Sequence, residues 1–248
     1  MKIVIFGGTS EGRELSNELA KAGAEVLVSV ASDYGAEEQG TAEGVTVAQG
    51  AKDEEEIRQM ISGADMVVDA THPFAVIVTD NIRSAAEKAG VERLRLLRDE
   101  SPTEGEADIR YAADPCEAAR IAGEIGGRVL LTTGSKDLGI YAEVIDPELL
   151  YPRVLPLVSS IEACEEAGIP HRNIIAVQGP FSEELNKAVI RDYKTEVMIT
   201  KDSGAAGGFP EKIRAARECR IPIIVIARPE EDGLSFDEIL AVCREKMK

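Results

Sequence analysis

The chain has 248 residues, 44% of them hydrophobic, and a formal net charge of −17. That length holds one large α/β domain or two small ones, and the acidic balance excludes nucleic acid, whose binding needs a basic surface. No apolar run approaches the ~18 residues of a membrane span, and the first residues read as a strand rather than a signal peptide.

Lys2 to Arg13 reads K-I-V-I-F-G-G-T-S-E-G-R. Ile3 to Phe6 suit a strand buried on both faces of a parallel sheet. Gly7 and Gly8 let the backbone turn and leave room for a ligand. Thr9 or Ser10 caps a helix that carries Leu15, Leu19 and Ala22 and stops at Gly23. Strand, glycine turn and helix N-terminus make an anion site. The Rossmann fingerprint is G-x-G-x-x-G; here Gly7 and Gly12 keep its outer spacing and Thr9 replaces the middle glycine.

Glu25 to Ala31 reads as the second strand. It ends in Ser29, Ala31 and Ser32 where an NAD-binding fold carries an acid for the ribose. These hydroxyls, with Arg13 nearby, favour a 2′-phosphate and hence NADP. Val45 to Gln49 reads as a strand, Asp53 to Ile61 as a helix. Ala64 to Ala70 is a fourth strand running into Thr71-His72-Pro73-Phe74, with Pro73 at the first position of a helix that ends at Gly90. In a sheet ordered 3-2-1-4 the winding reverses between strands 1 and 4. Asp69, Thr71 and His72 then face the glycine loop across the crevice where ligands bind. Arg93 to Arg98 closes the domain as a strand, and the acidic stretch 99–108 reads as a linker.

The second half, 109–248, repeats the pattern and predicts another parallel sheet. Strands are expected at 109–112, 128–133, 149–155, 173–178, 196–200 and 221–227. Helices are expected at 115–125, 159–167, from 182 to about 192, from about 210, and at 235–247. Three strand ends carry Gly, hydroxyls or lysine: T-T-G-S-K (132–136), V-Q-G-P-F-S (177–182) and T-K-D-S-G (200–204). They predict a ligand-binding rim. Arg13, Lys136, Arg153 and Lys201 lie beside these loops and break the acidic surface locally.

The four cysteines are scattered without a C-x-x-C pair, and His72 and His171 are the only histidines. That leaves no metal cluster and fits a reducing cytoplasm. The G-x-S-x-G elbow, the G-x-x-x-x-G-K-[ST] loop and the tyrosine–lysine pair of short-chain dehydrogenases are all missing. A bound nicotinamide would then supply the chemistry.

G-G-T-S-E-G-R (7–13), D-A-T-H-P-F-A (69–75), T-T-G-S-K (132–136), Q-G-P-F-S (178–182) and T-K-D-S-G-x-x-G-G (200–208) together resemble the precorrin-6A reductase family, which includes the cobalt-precorrin-6A reductases of corrin synthesis. The resemblance spans nearly the whole chain; relatives more often carry Ala at position 12. It implies two Rossmann-like domains with a ligand cleft between them, a monomer or weak homo-oligomer, and NADPH reducing one double bond of an anionic tetrapyrrole to the 6B form.

On that resemblance, Gly7, Gly8, Thr9 and Ser10 hold the pyrophosphate, and Glu11 a ribose hydroxyl or backbone N–H. Arg13 with Ser29 or Ser32 holds the 2′-phosphate, and Thr71 lies on the cofactor side. Asp69, His72 and Lys201 are the catalytic candidates, with His72, Lys201 or water supplying the proton. Lys136, Arg153 and Lys201 would meet substrate carboxylates, aided by Thr133, Gly134, Ser135, Gln178, Ser203 and Gly204. Phe74 and Phe181 would pack on the ring. Rival readings are another NADP-dependent reductase with a small substrate, a nucleotide-sensing module without turnover, and a cofactor-free tetrapyrrole enzyme.

Overall fold

The computed structural model describes residues 1–97, 108–204, 207–229 and 231–247, without the side chains of 33 and 34. The linker expected at 99–108 falls outside the described residues except for Asp108. The chain divides into two compact units, Met1–Asp99 with Pro229–Lys248, and Glu100–Arg228.

In the first unit β1 (Lys2–Phe6), β2 (Glu25–Val30), β3 (Val45–Gln49), β4 (Met66–Asp69) and β5 (Arg93–Arg95) form a parallel sheet in the order β3-β2-β1-β4-β5. β1 is apolar on both faces because both faces are covered. Ile3 and Ile5 pack with Leu15 and Leu19 of α1 (Ser10–Lys21), while Val4 and Phe6 pack with Ile57 and Ile82. Those two come from α3 (Glu54–Met60) and α4 (Val76–Ala89). A reciprocal capping box between Asp53 and Glu56 starts α3.

Three local expectations change. The strand at 93–98 shortens to Arg93–Arg95, followed by a single bridge at Leu96. Pro73 does not open α4: residues 72–75 turn first, with Ala75 N–H donating to His72 O at 2.8 Å. A short helix, α2 (Asp33–Gln39), follows β2 in a stretch to which the sequence assigned no element; it lacks an apolar stripe and is set by the Ser32 hydroxyl, which accepts from Gly35 N–H.

The last helix, α10 (Phe236–Lys246), belongs to the first unit and not to a domain running 109–248. Its Ile239, Leu240 and Cys243 share the core of Leu15 and Leu19. Residues 231–234 secure the return, with Leu234 and the 95–97 backbone exchanging two hydrogen bonds of 2.8 Å. Alternating strands and helices in a sequence give the type of each element, not the sheet on which a terminal helix packs.

In the second unit β6 (Ile109–Ala112), β7 (Val129–Leu131), β8 (Leu150–Val154), β9 (Ile175–Ala176), β10 (Val197–Lys201) and β11 (Ile223–Ile226) are parallel in the order β6-β11-β10-β7-β8-β9. Its helices are α5 (Pro115–Ile125), the unexpected one-turn α6 (Leu138–Ala142), α7 (Val158–Glu166), α8 (Glu183–Tyr193) and α9 (Phe209–Cys219). The strand expected at 173–178 shrinks to two residues because His171–Asn173 forms a 3-10 turn. The chain leaves β7 for β8 and β9, then returns to the other side of β7 at β10. The winding therefore reverses between β7 and β10. Among the described residues no helix is long and apolar enough to cross a membrane.

Candidate active site

In the first unit the glycine loop sits at the reversal between β1 and β4. Gly7 N–H donates to Ser29 O at 2.8 Å, so the loop leaves β1 hard against β2. A Cβ at Gly7 would stand 2.9 Å from Val28 Cγ1, and Gly8 has φ +104°. Both positions thus require glycine. Thr9 caps α1: its hydroxyl accepts from Gly12 N–H and donates to Ala70 O, both at 3.0 Å. The residue that stands in for the fingerprint's middle glycine is the cross-link between the two strand ends of the crevice. Gly12 lets α1 lie close to β4, since its Cβ would fall 3.0 Å from Ala70 Cβ. Ser10 is exposed, and its hydroxyl meets Glu11 Oε2 at 3.0 Å. Arg13 is exposed and donates from Nη1 to Glu38 O at the end of α2.

The two hydroxyls expected at the 2′-phosphate differ in placement. Ser29 is buried within β2, paired to both β1 and β3, because the strand continues one residue beyond it. The Ser32 hydroxyl is exposed but engaged as the α2 cap.

Asp69 is fully buried at the end of β4 and does not present its carboxylate at the crevice. Arg95 Nη1 lies 2.8 Å from Oδ1, and Arg93 Nη1 lies 3.3 Å from Oδ2. Thr71 is also buried; its hydroxyl donates to Asp69 Oδ1 at 2.8 Å and meets Thr79 Oγ1. Arg95 further holds Thr71 O and pairs with Glu231. Asp69 and Thr71 are the anchor of the 69–74 loop. A charged residue at each alternate position of R-L-R (93–95), inside a strand, was the available sign of that anchor.

The loop does present His72, which is half-buried. Phe74 N–H donates to its Nδ1 at 3.3 Å, and the two rings lie 5.7 Å apart. Nδ1 acting as acceptor places the neutral ring's proton on Nε2.

In the second unit the loops flanking the β7–β10 reversal are joined by an ion pair, Lys201 Nζ to Asp137 Oδ2 at 2.8 Å. Gly134, Ser135 and exposed Lys136 lie on the same loop as Asp137. The Thr133 hydroxyl is sealed beside the Tyr141 phenol, whose ionisation burial opposes, and so lies behind the rim. Ser203 donates to Gly207 O at 3.2 Å, and Gly204 N–H to Asp202 Oδ1, which Arg228 also holds. Gln178 is exposed. Phe181 lies over Arg153, with 4.1 Å from Cζ to the ring centroid, and Arg153 Nη1 donates to the buried Asn186 Oδ1 at 2.7 Å. Burial lowers the Arg153 guanidinium to about 10. Asp137, Asn186, Lys212 and Arg228 were missed from sequence, since their partners are distant in the chain.

A glycine turn at the reversal of one parallel sheet and a lysine-bearing rim at the reversal of another are what a two-unit Rossmann-like oxidoreductase needs. The family described as Precorrin-6x reductase CbiJ/CobK matches residues 2–244, and the chain belongs to it. It is 36% identical to the cobalt-precorrin-6A reductase of Priestia megaterium over 247 residues, 96% of each chain. It is 38% identical to that of Salmonella typhimurium over 236 residues, 92% of this chain and 87% of the other. The precorrin-6A reductase of Rhodococcus erythropolis is 32% identical over 240 residues, 92% of this chain and 89% of the other. The solved CobK precorrin-6A reductase shares the fold, with a TM-score of 0.78 at 21% identity over 99% of this chain and 97% of that one.

Proposed function

We propose that the chain reduces one double bond of the cobalt-precorrin-6A macrocycle to the 6B form in cobalamin biosynthesis, with NADPH as reductant. The cobalt-bearing form is favoured because relatives at 36–38% identity carry that name. The observation that carries the cofactor assignment is the Gly7–Thr9 loop: glycine is enforced at Gly7 by Val28, and the position a Gly8 side chain would take is open space.

The residues present fit a dinucleotide. Gly7, whose own N–H is taken by Ser29 O, shapes the turn, and the backbone N–H groups of Gly8, Thr9 and Ser10 with the N-terminus of α1 hold the pyrophosphate. Glu11 takes a ribose hydroxyl, and Arg13 with Ser32 receives the 2′-phosphate. When bound, the nicotinamide supplies hydride to a ring carbon. Asp69 and Thr71 act as positioning residues for the 71–74 loop. His72, once protonated to the imidazolium with its Nδ1 released from the Phe74 N–H, supplies the proton from Nε2, and Lys201, oriented by Asp137, binds a substrate carboxylate. Gly134, Ser135, Lys136, Gln178, Ser203 and Gly204 complete the substrate rim, and Phe74 packs on the macrocycle. The protein acts in the cytoplasm as a monomer or weak homo-oligomer.

Titration with NADPH and NADH, followed by nicotinamide fluorescence, tests the cofactor assignment. NADPH binding at least about tenfold tighter, roughly 1.4 kcal/mol, supports it. Binding of neither nucleotide, with or without substrate, defeats it.

A further inference from the structure

The second unit buries two cations that form no ion pair among the described residues. Arg153, at the carboxyl end of β8, is 6% exposed, and Lys212, on the first turn of α9, is 7% exposed. Arg153 donates only to the neutral Asn186 amide, and Lys212 Nζ only to Gly207 O at 3.1 Å; neither forms an ion pair among the described residues. A guanidinium has five N–H donors and an ammonium three, so most of this donor capacity has no partner among the described residues. Burying charge in this way is unfavourable unless something compensates it. No acidic side chain among the described residues is paired with either cation.

Both groups lie under the rim. Phe181, from the 178–182 loop, covers the Arg153 guanidinium. Gly207, which accepts from Lys212, also accepts from Ser203 of the 200–208 loop. The unpartnered Arg153 nitrogens are absent from the sealed orphan polar atoms, which are Asn17 Oδ1, Thr133 Oγ1, Tyr141 Oη and Thr195 Oγ1. They therefore keep contact with the surface.

We infer that Arg153 and Lys212 form one receptor for a carboxylate of the substrate bound at this rim. The inference rests on the reading that the substrate is a polycarboxylate macrocycle. Phe181 shields the receptor from water, which strengthens charge-assisted hydrogen bonds to a carboxylate that displaces solvent there.

A proton accompanies the carboxylate. Burial first, and Arg153 second, lower the Lys212 ammonium to about 7 from an ordinary 10.5. On the charged groups around it, Arg153 from β8 opposes the ammonium and Glu211 from α9 itself favours it. Glu183 of the neighbouring α8 is already held by Lys187 and Arg214. A bound carboxylate favours the ammonium, so above neutral pH binding draws a proton from solvent onto Nζ.

Two experiments on the full chain test this. The first measures KM and kcat for the macrocycle from pH 6 to 9 in the wild type, Lys212→Met and Lys212→Arg. KM of the wild type is expected to rise above neutral pH; Lys212→Arg should flatten that rise, and Lys212→Met should raise KM at pH 6.5 by about tenfold with kcat nearly kept. The second follows Lys212 Nζ by ¹⁵N NMR during citrate titration, with Arg153→Met as control. Citrate should move the Lys212 midpoint upward in the wild type and much less in the control. A KM profile unchanged in Lys212→Met, with a midpoint that citrate does not move, overturns the receptor. A wild type that never turns over the macrocycle, but whose Lys212 responds to citrate, refutes the substrate reading and leaves the receptor standing.

Discussion

Arg95 Nη1 lies 2.8 Å from Asp69 Oδ1, with both side chains almost wholly buried. The pair fastens the end of β4 to β5, and through Glu231 it also fastens the C-terminal segment. Asp69→Ala leaves Arg95 buried with one acid fewer and is expected to destabilise the chain by about 3–5 kcal/mol. Urea unfolding measures this. A fall in kcat without loss of stability would instead make Asp69 a reacting group.

The glycine loop predicts an ordered pair of effects. Gly7→Ala forces Val28 to shift from a 2.9 Å approach at the loop itself, so NADPH affinity should fall about tenfold or more. Gly12→Ala meets Ala70 Cβ at 3.0 Å and Thr9 Oγ1 at 3.1 Å, within the helix–strand packing, and should leave affinity within about threefold. Fluorescence titration of both variants checks the order; equal losses would contradict it.

His72 and Lys201 separate by kinetics. If the His72 imidazolium donates the proton from Nε2, His72→Ala lowers kcat about 10²–10⁴-fold and removes the alkaline limb of its pH profile. Lys201→Ala, which frees Asp137, should raise KM more than it lowers kcat. A His72→Ala enzyme with unchanged kcat from pH 6 to 9 would remove the histidine from the mechanism.

Lys212 gives a stability prediction of definite sign. Its folded value of about 7 lies below the ordinary 10.5. Below pH 7 the side chain is charged in both states, so the folded chain bears the whole cost of the buried charge. As pH rises from 7 toward 10.5 the folded group is neutral while the unfolded one is still charged, and that cost is relieved. Lys212→Met should therefore stabilise the chain by about 1–3 kcal/mol near pH 6, and by less near pH 9. Thermal unfolding at both pH values reads the difference; a benefit that grows with pH would contradict it.

Much of this architecture was legible because parallel strands announce themselves. I-V-I-F, V-L-V-S-V and M-V-V-D are short apolar runs ending at glycine, hydroxyl or histidine loops, and the order β3-β2-β1-β4 followed from them. The α10 return was not legible, since Ile239 and Cys243 share a core with Leu15 and Leu19, more than 200 positions away. Loop 69–75 was read as functional from its place at a strand end. The division of labour within it, with Asp69 and Thr71 inward and His72 half-exposed, depends on Arg95. Nothing in the sequence marks Lys212; only packing reveals its burial beside Arg153.

The most direct measurement is anaerobic turnover of purified cobalt-precorrin-6A with NADPH, and separately with NADH, following nicotinamide absorbance and the macrocycle spectrum together. The account predicts stoichiometric NADPH oxidation coupled to formation of the 6B form, with NADH at least about tenfold poorer in kcat/KM. NADPH oxidation without a change in the macrocycle, or equal use of NADH, would contradict it.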